Sequence, residues 1–331
     1  MANCHSIFLD FNELIRLHQS KRKSLRASRR EIRRKIKKFF DENKKNEIRP
    51  KFHGQGSWEM DTIINPIPRE ENLNGSVVTL LYYDIDDGIY FIGNENPGDR
   101  KSIQTYHDWI YEAVKGHTSK DPIDKNACVR VIFADGHNID LPIYYKQGDT
   151  PELAHKIRDW IDSDPKKFTE WFNTKADLNE QLRRVVRYLK AWKDYREFCR
   201  NTSFPSGLVL TILAATYFHA SDRDDLSLKE TLIKIEAALS AQFVCNRPTV
   251  PERENLLAKY GNKDYFLEQL RNFISDAKKA LEEKNQNKSC GLWQKHLGDR
   301  LPCHLAEDKN ESSSSIGLAT IIPATIKPFC K

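Results

Sequence analysis

Asp84, Asp86 and Asp140 are the side chains of this 331-residue chain that most readily make a reaction centre. The run Val77 to Tyr83 is apolar, β-branched and aromatic, the composition of a buried strand. Side chains alternate across a strand, so Asp84 and Asp86 share one face while Ile85 and Asp87 take the other. Two carboxylates side by side repel each other unless a cation lies between them. Oxygen-only ligation of that kind suits Mg²⁺ or Mn²⁺. Asp140 lies in a second strand-like run, His137 to Tyr145, between Ile139 and Leu141, where an unpartnered carboxylate is costly to bury. If the two strands are neighbours, Asp140 completes a three-carboxylate site of the kind that carries out metal-dependent phosphoryl transfer.

The elements around these residues must bring them together. Ala127–Phe133 and His137–Tyr145 are expected to pair as a hairpin across Ala134-Asp135-Gly136, delivering Asp140 to the sheet. Gly88 is expected to relieve crowding beside the carboxylates. Gly56-Ser57 has two readings: an ordinary serine cap, or a phosphate cradle at a helix start, where glycine lets the backbone come close and free amides receive oxygens. The Asp-x-Asp that follows favours the cradle. Residues 65–76, with two prolines, are expected to be a loop before the catalytic strand. Ser102 is expected to cap a helix burying Ile103, Tyr106, Trp109, Ile110 and Val114.

Helices flank this region. Residues 5–19 predict a short helix. Lys21 to Asn46 predicts a long one, with Leu25, Ile32, Ile36, Phe39 and Phe40 as a narrow apolar stripe. Lys21 to Lys45 holds thirteen Lys and Arg against three acidic residues, which leaves the rest of a chain of net charge +6 slightly acidic. That surface is either a solvated spine, with Arg29, Arg33 and Lys37 exposed, or a polyanion-binding face. Thr150-Pro151 predicts the first helix of a helical region, followed by helices over 178–200, 207–219, 226–242 and 264–284. Glu307 to Ser315 is polar and ends in four serines, and Pro323 and Pro328 argue against a regular element in Ile316 to Lys331, so 307–331 predict a disordered tail.

Seven cysteines (4, 128, 199, 245, 290, 303 and 330) form an odd, scattered set without a CxxC pair, which predicts reduced thiols. Cys290, Cys303 and His304 match no zinc spacing. No segment reaches the ~20 apolar residues of a membrane span, and no signal peptide is visible, so a cytoplasmic location is expected.

Gln55-Gly56-Ser57-Trp58, the run Tyr83 to Tyr90 and Ile139 to Tyr144 together resemble the bacterial CD-NTases. These are polymerase-β-like nucleotidyltransferases, relatives of cyclic GMP-AMP synthase that make cyclic oligonucleotide signals in anti-phage defence. The resemblance runs from Gln55 to Leu301. It implies an α+β (mixed α/β) fold: a nucleotidyltransferase core with the basic N-terminal helix over 1–150, then a helical second lobe over 151–306. By that likeness, Asp84, Asp86 and Asp140 would hold Mg²⁺ or Mn²⁺. Gln55, Gly56, Ser57, Lys190 (in Tyr188-Leu189-Lys190-Ala191-Trp192) and Ser206 (in Phe204-Pro205-Ser206-Gly207) would hold substrate, with nearby Lys193 as an alternative to Lys190. The implied substrates are nucleoside triphosphates, ATP and GTP. The implied product is a purine cyclic dinucleotide read by a downstream effector, with no nucleic acid required. The rivals are a linear product or transfer onto protein or RNA, and an inactive binding or antitoxin scaffold. The C-terminal residues depart from the small-residue ending of relatives that are conjugated through their terminus.

Overall fold

The strand β4, Asp84–Ile92, is the centre of one of two units in the computed structural model, which describes residues 2–73, 76–93 and 100–308. Its neighbours are β1 (Lys51–Gln55), antiparallel, and β7 (Asn138–Lys146), parallel. Beyond β7 lie β6 (Cys128–Ile132) and β5 (Ile123–Asp124). The hairpin between β6 and β7 forms as expected, with Gly136 at φ +94° in its turn.

The strand that carries Asp84 and Asp86 begins, rather than ends, at Asp84. Ser76–Leu80, labelled β3, instead pairs with β2 (Arg69–Leu73) in a separate two-stranded hairpin within the expected loop. Val77 is 68% exposed, so the apolar run does not mark a buried strand. Composition cannot show whether such a run pairs with a sheet or with the polar segment beside it.

One face of the sheet is dry. Ile85, Ile89 and Phe91 of β4 and Ile139, Leu141, Ile143 and Tyr145 of β7 are buried in a common core. Two helices close that core: α2 (Gln19–Asn43), through Leu25, Ile32, Ile36 and Phe40, and α3 (Ile103–Val114). Ser102 caps α3 as expected, its Oγ accepting from the Thr105 amide at 3.1 Å. The residues that alternate with these, Asp86 and Tyr90 on β4 and Asp140 and Tyr144 on β7, take the other face.

No helix starts at Thr150-Pro151. β8 (Glu152–His155) pairs with β7 opposite Tyr144 and Tyr145, and β9 (Asp159–Asp162) pairs with β8. The reason is an open edge: β6 follows β7 only as far as Pro142, leaving backbone groups beyond it to be satisfied. The cap-then-proline signal belongs to Asp164-Pro165, where Asp164 Oδ1 accepts from the amides of Lys166 and Lys167 at 3.1 Å. That turn starts α4 (Pro165–Leu178).

The other unit is helical. It contains α1 (His5–Ile15), α5 (Gln181–Arg200), α6 (Gly207–Tyr217), α7 (Asp224–Ala241), α8 (Lys263–Glu282) and α9 (Gln286–Leu297). Phe8 of α1 packs edge-on against Tyr188 and Trp293. Asp224 is fully buried, and accepts from Arg184, Gln181 and the Tyr188 hydroxyl at 2.6–2.8 Å. Those partners hold its carboxyl below the usual range against the opposing effect of burial.

The units interleave along the chain. Residues 1–16, 175–246 and 255–331 belong to the helical one, and 17–174 with 247–254 to the other. A division at 150/151 would cut the sheet between β7 and β8, whereas the sheet continues through β9 and its unit runs on to residue 174. The expected tail, 307–331, lies outside the described residues from 309 onward.

The expectation of reduced thiols does not hold for every cysteine, since Cys199, Cys290 and Cys303 are all disulfide-bonded. Cys290 and Cys303 form a disulfide, their Cα atoms 5.6 Å apart. The chain turns back after α9 at Gly298, φ +73°, which returns Cys303 to the helix. Cys4, Cys128 and Cys245 are buried free thiols.

Candidate active site

Pairing in the sheet places the three carboxylates. Parallel register sets Asp84 opposite Asn138 and Asp86 opposite Asp140, while β1 sets Gln55 opposite Asp86. Asp86 is therefore flanked by Gln55 on one side and Asp140 on the other. Asp84 is 60% exposed and Asp140 14%. Burial, then the charges of Asp140 and Asp84, push the Asp86 carboxyl up to about 7.

Asp87 points the other way, as alternation requires. It is fully buried and accepts from Arg33 of α2, at 2.7 Å from Nε and with a second bond from Nη2.

A guanidinium stands among the carboxylates. Arg130 Nε donates to Asp140 Oδ1 at 2.6 Å and Nη2 to Asp140 Oδ2 at 2.7 Å. The same Nη2 lies 3.1 Å from Asp84 Oδ1. Lys125 Nζ is 3.6 Å from Asp140 Oδ2, and Asn138 Nδ2 donates to Asp84 Oδ1 at 3.1 Å. With the side chains in this arrangement, no three His, Cys, Asp or Glu among the described residues converge as a metal-ligand group. The donor set nonetheless fits a hard divalent cation. It is all oxygen, its central carboxyl is raised by burial and then by crowded negative charge, and a cationic group already bridges its two outer members.

Gly56 follows β1 at φ +67°, and a Cβ there would lie 2.6 Å from Asp86 Oδ2. Only glycine fits so close to the carboxylates. The expected helix start at Gly56-Ser57 is a series of turns, with the Met60 amide donating to the Gly56 carbonyl and that of Thr62 to Ser57. Gln55 does not present its side chain as a substrate ligand would. It is 4% exposed, with Nε2 donating to the Tyr144 hydroxyl at 3.3 Å and Oε1 accepting from Tyr90 at 3.4 Å. Gly88 leaves room for this, since a Cβ there would meet Tyr90 at 2.8 Å and Gln55 at 3.0 Å.

Lys190 and Ser206 are brought together in the helical unit. A Cβ on Gly207 would lie 3.5 Å from Lys190 Cε, and Ser206 caps α6 by accepting from the Val209 amide at 3.2 Å. Lys193 is paired with Glu197.

Arg130, Lys125 and Asn138 escaped sequence reasoning. A signal for Arg130 existed: a hairpin centred on Asp135 sets residue 130 opposite residue 140.

Residues 50–144 match the nucleotidyltransferase domain of the cyclic GMP-AMP synthase DncV-like family. This segment is a DncV-like nucleotidyltransferase domain of the CD-NTase type. The domain carries Gln55, Gly56, Ser57 and all three carboxylates. Around it, the chain is 29% identical over 247 residues to a cyclic GMP-AMP synthase of Escherichia albertii, covering 72% of this chain and 51% of that protein. A cyclic GMP-AMP synthase of Vibrio cholerae serotype O1 is 24% identical over 246 residues, 59% of this chain and 53% of that one. The chain thus spans about half the length of these curated relatives. In fold it resembles Vibrio cholerae DncV cyclic AMP-GMP synthase, solved with the linear intermediate 5′ pppA(3′,5′)pG. The TM-score is 0.75 at 19% identity, over 93% of this chain and 99% of that one. The polymerase-β-like α+β architecture around the nucleotidyltransferase domain is therefore shared.

Proposed function

We propose that the chain joins two nucleoside triphosphates into a cyclic dinucleotide. One observation carries the reading: parallel pairing of β4 and β7 sets Asp84, Asp86 and Asp140 on one open sheet face within a DncV-like nucleotidyltransferase domain. ATP and GTP are the proposed substrates, by likeness to the cyclic GMP-AMP synthases.

In each half-reaction a ribose hydroxyl of one nucleotide attacks the α-phosphorus of the other. The new oxygen–phosphorus bond replaces the bond to pyrophosphate, and the hydroxyl loses its proton. Asp84, Asp86 and Asp140 would hold Mg²⁺ or Mn²⁺, which when bound neutralises phosphate charge and acidifies the attacking hydroxyl. Gly56 brings backbone close to Asp86, and Ser57, next in the chain, would offer a hydroxyl to the triphosphate. Lys190 and Ser206 would supply an ammonium and a hydroxyl to the departing phosphates. Gln55, held by Tyr90 and Tyr144, supports the sheet beside Asp86 rather than touching substrate. The reaction would take place in the cytoplasm, where triphosphates are abundant, and its product would be read by a separate effector in anti-phage defence. No helix among the described residues is long and apolar enough to cross a membrane.

The test is incubation of the purified protein with labelled ATP, GTP and Mg²⁺, with mass spectrometry of phosphatase-resistant products. A resistant dinucleotide, absent with Asp84→Asn/Asp86→Asn, is expected. Phosphatase-sensitive ladders would show linear synthesis, and wild-type turnover by the double variant would remove these carboxylates from the mechanism.

A further inference from the structure

We propose that Arg130 is the resident counter-cation of the carboxylate site, which a divalent ion must displace before Asp140 can act as a ligand. This rests on the reading of Asp84, Asp86 and Asp140 as a metal site. Arg130 is bound to both oxygens of Asp140, at 2.6 and 2.7 Å, and reaches Asp84 Oδ1 at 3.1 Å. A forked guanidinium on both oxygens leaves Asp140 little to offer a metal, which needs the same lone pairs in a different direction.

The placement is built into the sheet rather than a surface accident. Antiparallel register sets Arg130 directly opposite Asp140, and Arg130 is only 19% exposed. Three carboxylates on one face would repel without a cation, and the guanidinium offsets that charge in the metal-free protein. The aspartate pair on β4 keeps its own cation access, because only Asp84 Oδ1 is shared with Arg130 and Asp86 is not. Arg130 therefore acts mainly through Asp140. It is a positioning residue: it holds Asp140 ready and sets how much metal must be present to free it. Lys125, at 3.6 Å from Asp140 Oδ2, contributes in the same sense from farther away.

Mn²⁺ binding to nucleotide-free protein, followed by electron paramagnetic resonance, reads this directly without turnover. Arg130→Gln is expected to tighten the Mn²⁺ dissociation constant by about tenfold, and to lower the melting temperature of metal-free protein in a way that Mn²⁺ restores. Arg130→Lys, whose point charge cannot grip both oxygens, should fall between the two, and it serves if the glutamine variant does not fold. Arg130→Gln combined with Asp140→Asn should lose the gain. Unchanged or weaker Mn²⁺ binding in both Arg130 variants overturns the proposal. If Asp84→Asn/Asp86→Asn abolishes Mn²⁺ binding while Arg130 substitution has no effect, the metal site stands and the displacement idea alone fails.

Discussion

Arg33 of α2 clasps Asp87 on the dry face of the central strand, one residue beyond Asp86 of the candidate site. A helix whose charge suggests a solvated or polyanion-binding surface is thus tied to the back of the strand that carries the candidate carboxylates. Arg29 pairs with Glu59 and lies over Trp58, 5.3 Å from the ring centroid. Arg29 and Arg33 are accordingly half-buried, not the exposed residues expected of a spine surface.

Removing Arg33 leaves Asp87 buried without its ion-pair partner. Arg33→Ala should cost about 3 kcal/mol in urea unfolding, and Asp87→Asn in that background should recover part of the loss. A loss below ~1 kcal/mol would mean that the Asp87 charge is satisfied by other means.

Asp86 gives the metal-free protein a pH signature. Its folded carboxyl is raised from 3.8 to about 7, so the native state holds the proton more tightly than the unfolded chain. Its contribution to stability is present below about pH 4 and is lost as pH rises through 7. Asp86→Asn should therefore stabilise metal-free protein more at pH 8 than at pH 5. Equal melting shifts at both pH values would contradict this.

His296 works with the opposite sign. Burial lowers it from 6.5 to about 4, against the pull of Asp276, whose Oδ2 lies 3.1 Å from Nε2. The folded state excludes the proton, so its contribution is full above pH 6.5 and about 3 kcal/mol is lost as pH falls to 4. His296→Gln should flatten the melting-temperature profile across that window. An unchanged profile would show that other groups set it.

Lys190 and Lys193 are separable. Lys193 is engaged by Glu197, which also accepts from the Phe204 amide at 2.8 Å, whereas Lys190 lies by the start of α6. Lys190→Ala should raise the KM for triphosphate by about tenfold with little change in melting temperature. A larger KM effect from Lys193→Ala would move the phosphate contact one helical turn.

Local pattern determined a good part of this. Period-2 alternation put Asp84 and Asp86 on one face and Asp87 on the other, and a turn at Ala134-Asp135-Gly136 set the β6–β7 hairpin. The apolar stripe of α2 and the Ser102 cap follow from residues within a few positions of one another. Tertiary structure decided the rest. The parallel pairing of β4 with β7 joins residues 54 apart, and no local periodicity announces it. Glu152 to Asp162 became strands because β7 presented an unpaired edge, not because of their own composition. Arg130 found Asp140 and Arg33 found Asp87 because a charge buried in a fold takes whichever counter-charge the packing brings within reach. Strand face is fixed by the geometry of single residues, whereas partners are chosen by unsatisfied backbone groups and charges that exist only once the sheet has formed.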